Sequence, residues 1–270
     1  MKILICTDGS PTAEMSSTLV AKMGLTANAE ISFLGVSEHE DDQSQLVGSM
    51  DRMRASLGEM NTDWRTCLRK GSPVEQILAE TQENAYDLVV VGWRDDRRLP
   101  LLRLGSTAAK LARRIQTHLL VVRKLARVPQ KVLFCTSAES PAASTLTQGG
   151  RLIASLNAQV SLLHVIPQVA PSGDLVDTAE MAIQHSTREG KHLQNGTEQL
   201  RQAGVQGDIT PRLRHGLVVD EVLAEQQEGH YDLLVLGAHH QPGQNRWMGI
   251  LLDDVTDQLL NRAPCSVLIV

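Results

Sequence analysis

The stretch Lys2-Ile-Leu-Ile-Cys-Thr7 opens the chain and returns 129 positions later as Lys131-Val-Leu-Phe-Cys-Thr136. Further along, Tyr86-Asp-Leu-Val-Val-Val-Gly92 reappears 145 positions on as Tyr231-Asp-Leu-Leu-Val-Leu-Gly237. The run Leu119-Leu-Val-Val122 reappears 148 positions on as Val267-Leu-Ile-Val270. The growing offset places about 16 extra residues in the middle of the second copy and three more near its end, in helix or loop regions where insertions are tolerated. A repeat of more than a hundred residues is a duplicated domain and not a solenoid unit. The copies are read as residues 1–126 and 127–270, joined by a short segment around Pro129.

Each copy alternates short β-branched apolar runs with longer amphipathic stretches. In the first copy strands are expected at 2–7, 30–36, 64–69, 87–92 and 118–123, and helices at 12–26, 42–60, 73–84 and 105–116. The strand runs are nearly continuous in Val, Ile and Leu, the pattern of strands buried on both faces. Ser10-Pro11 and Ser72-Pro73 set a capping hydroxyl before a proline at the first helical position. In the second copy strands are expected near 131–136, 159–166, 208–214, 232–238 and 265–270. Strands separated by helices imply right-handed crossovers. The fold class is α/β: two tandem, doubly wound, five-stranded parallel-sheet domains.

Composition narrows the function. The chain has 270 residues, is 42% hydrophobic and 21% charged, and carries a net charge of −5. These are globular proportions, and the acidic balance opposes a nucleic-acid binder that works by phosphate neutralisation. No apolar run approaches the ~18 residues of a membrane span. No secretory pattern is visible at the start, so a cytoplasmic location is expected. Cys6, Cys67, Cys135 and Cys265 are far apart and suggest neither a zinc site nor a disulfide framework. Cys6 and Cys135, at equivalent strand positions, read as small buried hydrophobes. No nucleophile has a base placed beside it, so an enzyme is not expected.

In a doubly wound sheet, ligands sit beyond the carboxyl ends of the strands, at the switch point. Those ends are Thr7-Asp8-Gly9-Ser10, Val36-Ser37, Gly71-Ser72 and Gly92-Trp93-Arg94. The last leads through a polar loop to Gly105-Ser106-Thr107, which opens a helix and so offers amides, hydroxyls and a positive dipole end to an anion. Helix capping is the other reading of the same three residues. Neither G-x-x-x-x-G-K-[ST] nor G-x-G-x-x-G occurs.

The chain resembles the universal stress protein family, as two tandem copies. The resemblance rests on T-D-G-S at 7–10, Gly71-Ser72-Pro73, the loop pattern Gly92-x2-Asp95-x9-Gly105-Ser106, and the closing A-P-C-S-V-L-I-V at 263–270. It implies the adenine nucleotide alpha hydrolase-like fold and a stress-response role as a sensor of ATP or a related adenine nucleotide, with Mg2+. By that resemblance Thr7 and Asp8 lie toward the ribose and Val36 against adenine. Gly92, Arg94, Gly105, Ser106 and Thr107 attend the phosphates. It also implies pairing of Leu119–Val122 with Val267–Val270 as an internal pseudo-dimer, and leaves a homodimer of chains open.

Asp95 departs from the family glycine. A carboxylate ~4 Å from a phosphate charge, at an effective dielectric near 20, is repelled by about 4 kcal/mol; Arg94, Arg97, Arg98 and Arg103 are the residues that could offset it. In the second copy Ser137 replaces Asp8, and Asp253-Asp254 replaces Gly105-Ser106. One competent site and one structural or repurposed domain are therefore expected. The alternative is a fold-sharing interaction scaffold that binds no nucleotide; a hydrolase is a third and weaker reading. His164, His215, His239 and His240 gather at the second copy's carboxyl edge and could form a metal or pH-responsive cluster, although no ligand spacing supports a metal. Trp93 and Trp247 follow the fourth strands and either cover the pocket or seal a domain interface. Residues 174–204 read as one long solvated helix.

Overall fold

The protein is described as a computed structural model. It describes all residues except 28, 39–42, 59–63, 94–106, 124–127, 138–141, 168–177 and 238–254. Internal contacts divide the chain into a leading unit, Met1–Val128, and a trailing unit, Pro129–Val270.

The leading unit runs β1 (Lys2–Thr7), α1 (Pro11–Lys22), β2 (Glu30–Ser37), α2 (Gln43–Ser56), β3 (Trp64–Lys70), α3 (Pro73–Glu83), β4 (Leu88–Gly92), α4 (Thr107–Ala112) and β5 (His118–Val122). Its strands lie in the order β3-β2-β1-β4-β5, every neighbouring pair parallel. The chain turns back between β1 and β4, and this is the switch point. Helix α1 packs on α2 and α3 on α4, one pair per face as right-handed crossovers require. Ile3, Leu4 and Ile5 of β1, Leu88–Val90 of β4 and Leu119–Val122 of β5 are buried consecutively. The sheet is thus covered on both sides, which explains why its strands read as unbroken apolar runs.

The trailing unit repeats the plan with β6 (Lys131–Thr136), α5 (Ala142–Ile153), β7 (Gln159–Ile166), α6 (Ala179–Gln184), α7 (Arg188–Gln202), β8 (Ile209–His215), α8 (Val218–Gly229), β9 (Leu233–Leu236) and β10 (Ser266–Ile269). Residues 255–262 are helical. Its strands are parallel in the order β8-β7-β6-β9-β10.

Two expectations need correction. The stretch 174–204 is not one solvated helix: α6 and α7 are separate, and the break falls at Ser186, whose φ is 52°. Helix α7 buries Gly190, Leu193, Gly196, Thr197 and Leu200 and packs on α5, β7 and β8, so a composition rich in Gln and His conceals an apolar stripe. The crossing of α6 over α7 is close enough that a Cβ on Gly190 would lie 2.1 Å from the Ala182 carbonyl oxygen. The second correction concerns caps. Ser10 caps α1 by accepting from the Ala13 amide at 3.3 Å, whereas Ser72 makes no such bond before α3 and Pro73 alone sets that start. Cys6 is buried as expected, whereas Cys135 is half-buried; desolvation pushes both thiols up.

A polar feature is duplicated as faithfully as the core. Glu80 on α3 is 1% exposed. Its carboxylate accepts from Arg69 of β3 at 2.6 Å, from Tyr86 at 2.9 Å and from Asn84 at 2.9 Å, while Arg69 also grips Glu83. In the trailing unit Glu225 accepts from Arg214 at 2.7 Å and Tyr231 at 3.0 Å, and Arg214 also grips Glu228. Each network ties an edge strand to the following helix and to the approach of the next strand.

Arg69→Met should cost the leading unit about 3–5 kcal/mol, because it strands a buried carboxylate without its main cation. Tyr86→Phe should cost about 1–2 kcal/mol, since one donor to that carboxylate is lost. Gly190→Ala should destabilise the trailing unit by about 1–3 kcal/mol through overpacking. Urea unfolding of each variant against the wild type measures all three.

Candidate functional site

The carboxyl edge of the leading unit is built on the switch point. Ile5 of β1 pairs with Val90 of β4, so two residues further along each strand stand Thr7 and Gly92. Beyond Thr7 the chain turns sharply through Gly9, at φ +78°, where glycine adopts the left-handed backbone without penalty. The Thr7 hydroxyl is buried, accepts from the Gly9 amide at 3.0 Å and shares a hydrogen bond with the Ser49 hydroxyl at 3.0 Å. Asp8 is exposed and accepts from the Ser10 amide at 3.0 Å. The turn therefore uses two of its own amides and leaves Asp8 exposed just beyond the carboxyl end of β1.

The other expected residues are distributed as follows. Val36 is 6% exposed, near the carboxyl end of β2. Thr107 is exposed and begins α4. Gly92 ends β4, and a Cβ there would lie 2.9 Å from the Ala13 backbone of α1. Close helix packing thus demands glycine at 92 without reference to phosphate. Its trailing counterpart Gly237 is similarly confined, 2.7 Å from the Thr145 hydroxyl. Arg94, Asp95, Arg97, Arg98, Arg103, Gly105 and Ser106 lie outside the described residues. Trp93 donates its amide to the Val122 carbonyl at 2.8 Å, and the Arg123 guanidinium stacks 3.6 Å over its ring. Arg123, which follows the neighbouring strand β5, was not singled out from the sequence.

In the trailing unit the same edge has different chemistry. Thr136, the counterpart of Thr7, bonds through its hydroxyl to His192 Nε2 at 3.0 Å, as Thr7 does to Ser49. The Thr136 carbonyl accepts from His164 Nδ1 at 3.2 Å, which fixes the proton on that nitrogen. The two imidazoles meet edge to face with centroids 5.2 Å apart. Burial lowers the pKa of both, and for His192 the neighbouring His164 lowers it further. The structure thus pairs His164 with His192, a residue of the stretch expected to form one solvated helix. His239, His240, Trp247, Asp253 and Asp254 lie outside the described residues. Among the described residues no three His, Cys, Asp or Glu side chains are grouped to hold a metal ion.

The imidazole pair predicts a pH dependence. A folded state that refuses protons loses stability as pH falls from the ordinary histidine pKa near 6.5 toward the lowered folded values, because only the unfolded chain takes them up. Between pH 7 and 5 the trailing unit should become less stable, and His192→Gln should flatten that slope. Urea midpoints measured across the range test this.

Comparison with known proteins agrees with this architecture. The profile of the universal stress protein family matches residues 1–123 and 129–270. A curated relative, the stress response protein NhaX of Bacillus subtilis, is 28% identical over 85 residues, 32% of this chain and 49% of that protein; the match spans about half the relative's length. A universal stress protein from Archaeoglobus fulgidus superimposes with a TM-score of 0.68 at 14% identity, over 99% of this chain and 95% of that one. A putative universal stress protein from Pseudomonas aeruginosa gives 0.69 at 16% identity, over 100% and 92%. With both repeats matched and both sheets wound alike, the chain belongs to the universal stress protein family.

Proposed function

We propose that this protein is a stress-response sensor whose leading unit binds ATP or a related adenine nucleotide, with Mg2+, at the β1/β4 crevice, and which acts by binding rather than catalysis. The observation that carries the reading is Asp8: an exposed carboxylate on a glycine turn at the switch point, where open α/β sheets take their ligands. Carried over from the family, Asp8 faces the ribose, Val36 the base, and Gly105, Ser106 and Thr107 the phosphates, with Arg94 beside them. The trailing unit has Ser137 at the position of Asp8 and an imidazole pair beneath it, and is assigned no nucleotide. Among the described residues no helix is long and apolar enough to cross a membrane.

A scaffold that binds no nucleotide is the second reading, and it has its own support. The Gly9 and Ser10 amides are already bonded within the turn, and Gly92 answers to helix packing.

Denaturing freshly purified protein and chromatographing the supernatant should release an adenine nucleotide. Calorimetric titration with ATP and Mg2+ should then give one site per chain. Asp8→Ala and Gly105→Asp should each weaken binding at least about tenfold, ~1.4 kcal/mol, and Ser137→Ala should leave it unchanged. No released nucleotide together with no heat selects the scaffold.

A further inference from the structure

The amino edge of the leading sheet, opposite the switch-point crevice, holds a cavity of about 230 Å3, roughly the volume of seven or eight water molecules. Its walls are the first residues of β1, β2 and β3 and the connection from α3 to β4. Lys2, Glu30, Ser32, Arg65, Asn84 and Tyr86 supply its polar groups. Two are cations, one is a carboxylate, and the rest are neutral hydrogen-bonding groups.

The strand registers and the 145-residue repeat give the trailing counterpart of each. Lys131 stands for Lys2, Gln159 for Glu30, Ser161 for Ser32, Thr210 for Arg65, Gly229 for Asn84 and Tyr231 for Tyr86. The trailing copy draws this place together with its own chain. Lys131 Nζ donates to the Gly229 carbonyl at 3.1 Å, Tyr231 is 6% exposed, and a Cβ on Gly229 would lie 2.1 Å from the Tyr231 ring. The cause is where each helix ends. Helix α8 includes Gly229 and stops on the left-handed His230, at φ 53°. Helix α3 stops at Glu83 and passes into an extended Asn84, at φ −132°. So placed, Asn84 accepts from Arg65 and donates to Glu80, each at 2.9 Å, and Tyr86 stays half-buried.

The two charges that the trailing copy lacks, Glu30 and Arg65, answer to no demand of the shared fold. The buried Glu225 takes its second arginine from Arg212, 3.7 Å away and two residues along the strand from Thr210. Glu30 pairs with Lys2 at 3.4 Å, with side chains 68% and 55% exposed. Such an exposed pair contributes little and opens readily to a competing ion. We infer that the cavity is a binding site for a free α-amino acid with a short, uncharged polar side chain. Its carboxylate takes Arg65, whose planar fork matches that group, together with Lys2. Its ammonium takes Glu30, and its side chain meets the hydroxyl of Ser32 and the amide of Asn84. A zwitterion satisfies both signs of charge on the wall, which a dicarboxylate or a diamine does not.

The probes are L-asparagine and L-glutamine, each titrated into the full chain by calorimetry, with succinate and 1,4-diaminobutane in parallel. Saturable binding of at least one amino acid is expected, at least about tenfold tighter than either single-sign probe. Arg65→Gln and Glu30→Gln should each weaken it at least about tenfold. Ala85→Phe, at an exposed residue of the same wall, removes no charge and should do the same by filling the space. Gln159→Glu, in the trailing copy, should change nothing. Urea midpoints check that each variant is folded, and Ala85→Phe decides if Arg65→Gln is not. The inference is overturned by the absence of saturable heat from both amino acids, or by binding that survives Glu30→Gln and Ala85→Phe. Equal affinity for succinate or diaminobutane would reduce the cavity to a simple ion site and overturn it too, as would a response to Gln159→Glu.

Discussion

A carboxylate sealed from water must be met by a cation and hydrogen-bond donors, or it pays several kcal/mol of desolvation. Glu80 and Glu225 meet that constraint in the same way, each with an arginine from the edge strand and a tyrosine from the approach to the next strand. Three successive pieces of chain, the edge strand, the helix after it and the approach to the next strand, are thereby fixed to one another at the sheet's last strand. The network also orients the crossover that carries the chain back past β1, so the switch-point crevice depends on it. Burial raises the pKa of both tyrosines, which keeps their hydroxyls protonated as donors.

Against this shared frame the two carboxyl edges have diverged. One keeps a carboxylate on a glycine turn above a small serine and threonine pair; the other fills the floor with two imidazoles. The backbone has not changed to permit this: the strand order, the register and the first-strand threonine are common to both. Substitutions at Gly35 and Ser49, to His164 and His192, are sufficient to replace a small polar floor with a bulky one. Divergence after duplication has acted on side chains at the rim and on one inserted helix, while the buried lattice stayed fixed.

What could be read from the sequence follows the same division. Strands were legible to within two residues because Val, Ile and Leu runs buried on both faces have no other stable reading, and the repeat confirmed each one. The break between α6 and α7 was not legible, since Ser186 takes a left-handed conformation that favours glycine or asparagine. The burial of α7 was hidden by Gly190, Gly196 and Thr197, which look polar or neutral but form its packed stripe. The Glu80 network left a signal that could have been found: Arg69, Glu80, Glu83 and Tyr86 recur 145 positions later as Arg214, Glu225, Glu228 and Tyr231. Of the leading edge, Thr7 and Asp8 were legible from the strand ending, whereas the Arg123–Trp93 contact there and the His164–His192 pair of the trailing edge arise only through tertiary packing.

Gly92 and Gly237 carry a lesson about how such chains evolve. Each is hemmed in by a neighbouring helix, so selection for folding alone preserves it after any ligand has gone. A glycine of this kind is a fossil of packing and not a marker of binding. The exposed positions just past the first strands are under no such packing demand, and there the two halves differ, with Asp8 in one and Ser137 in the other.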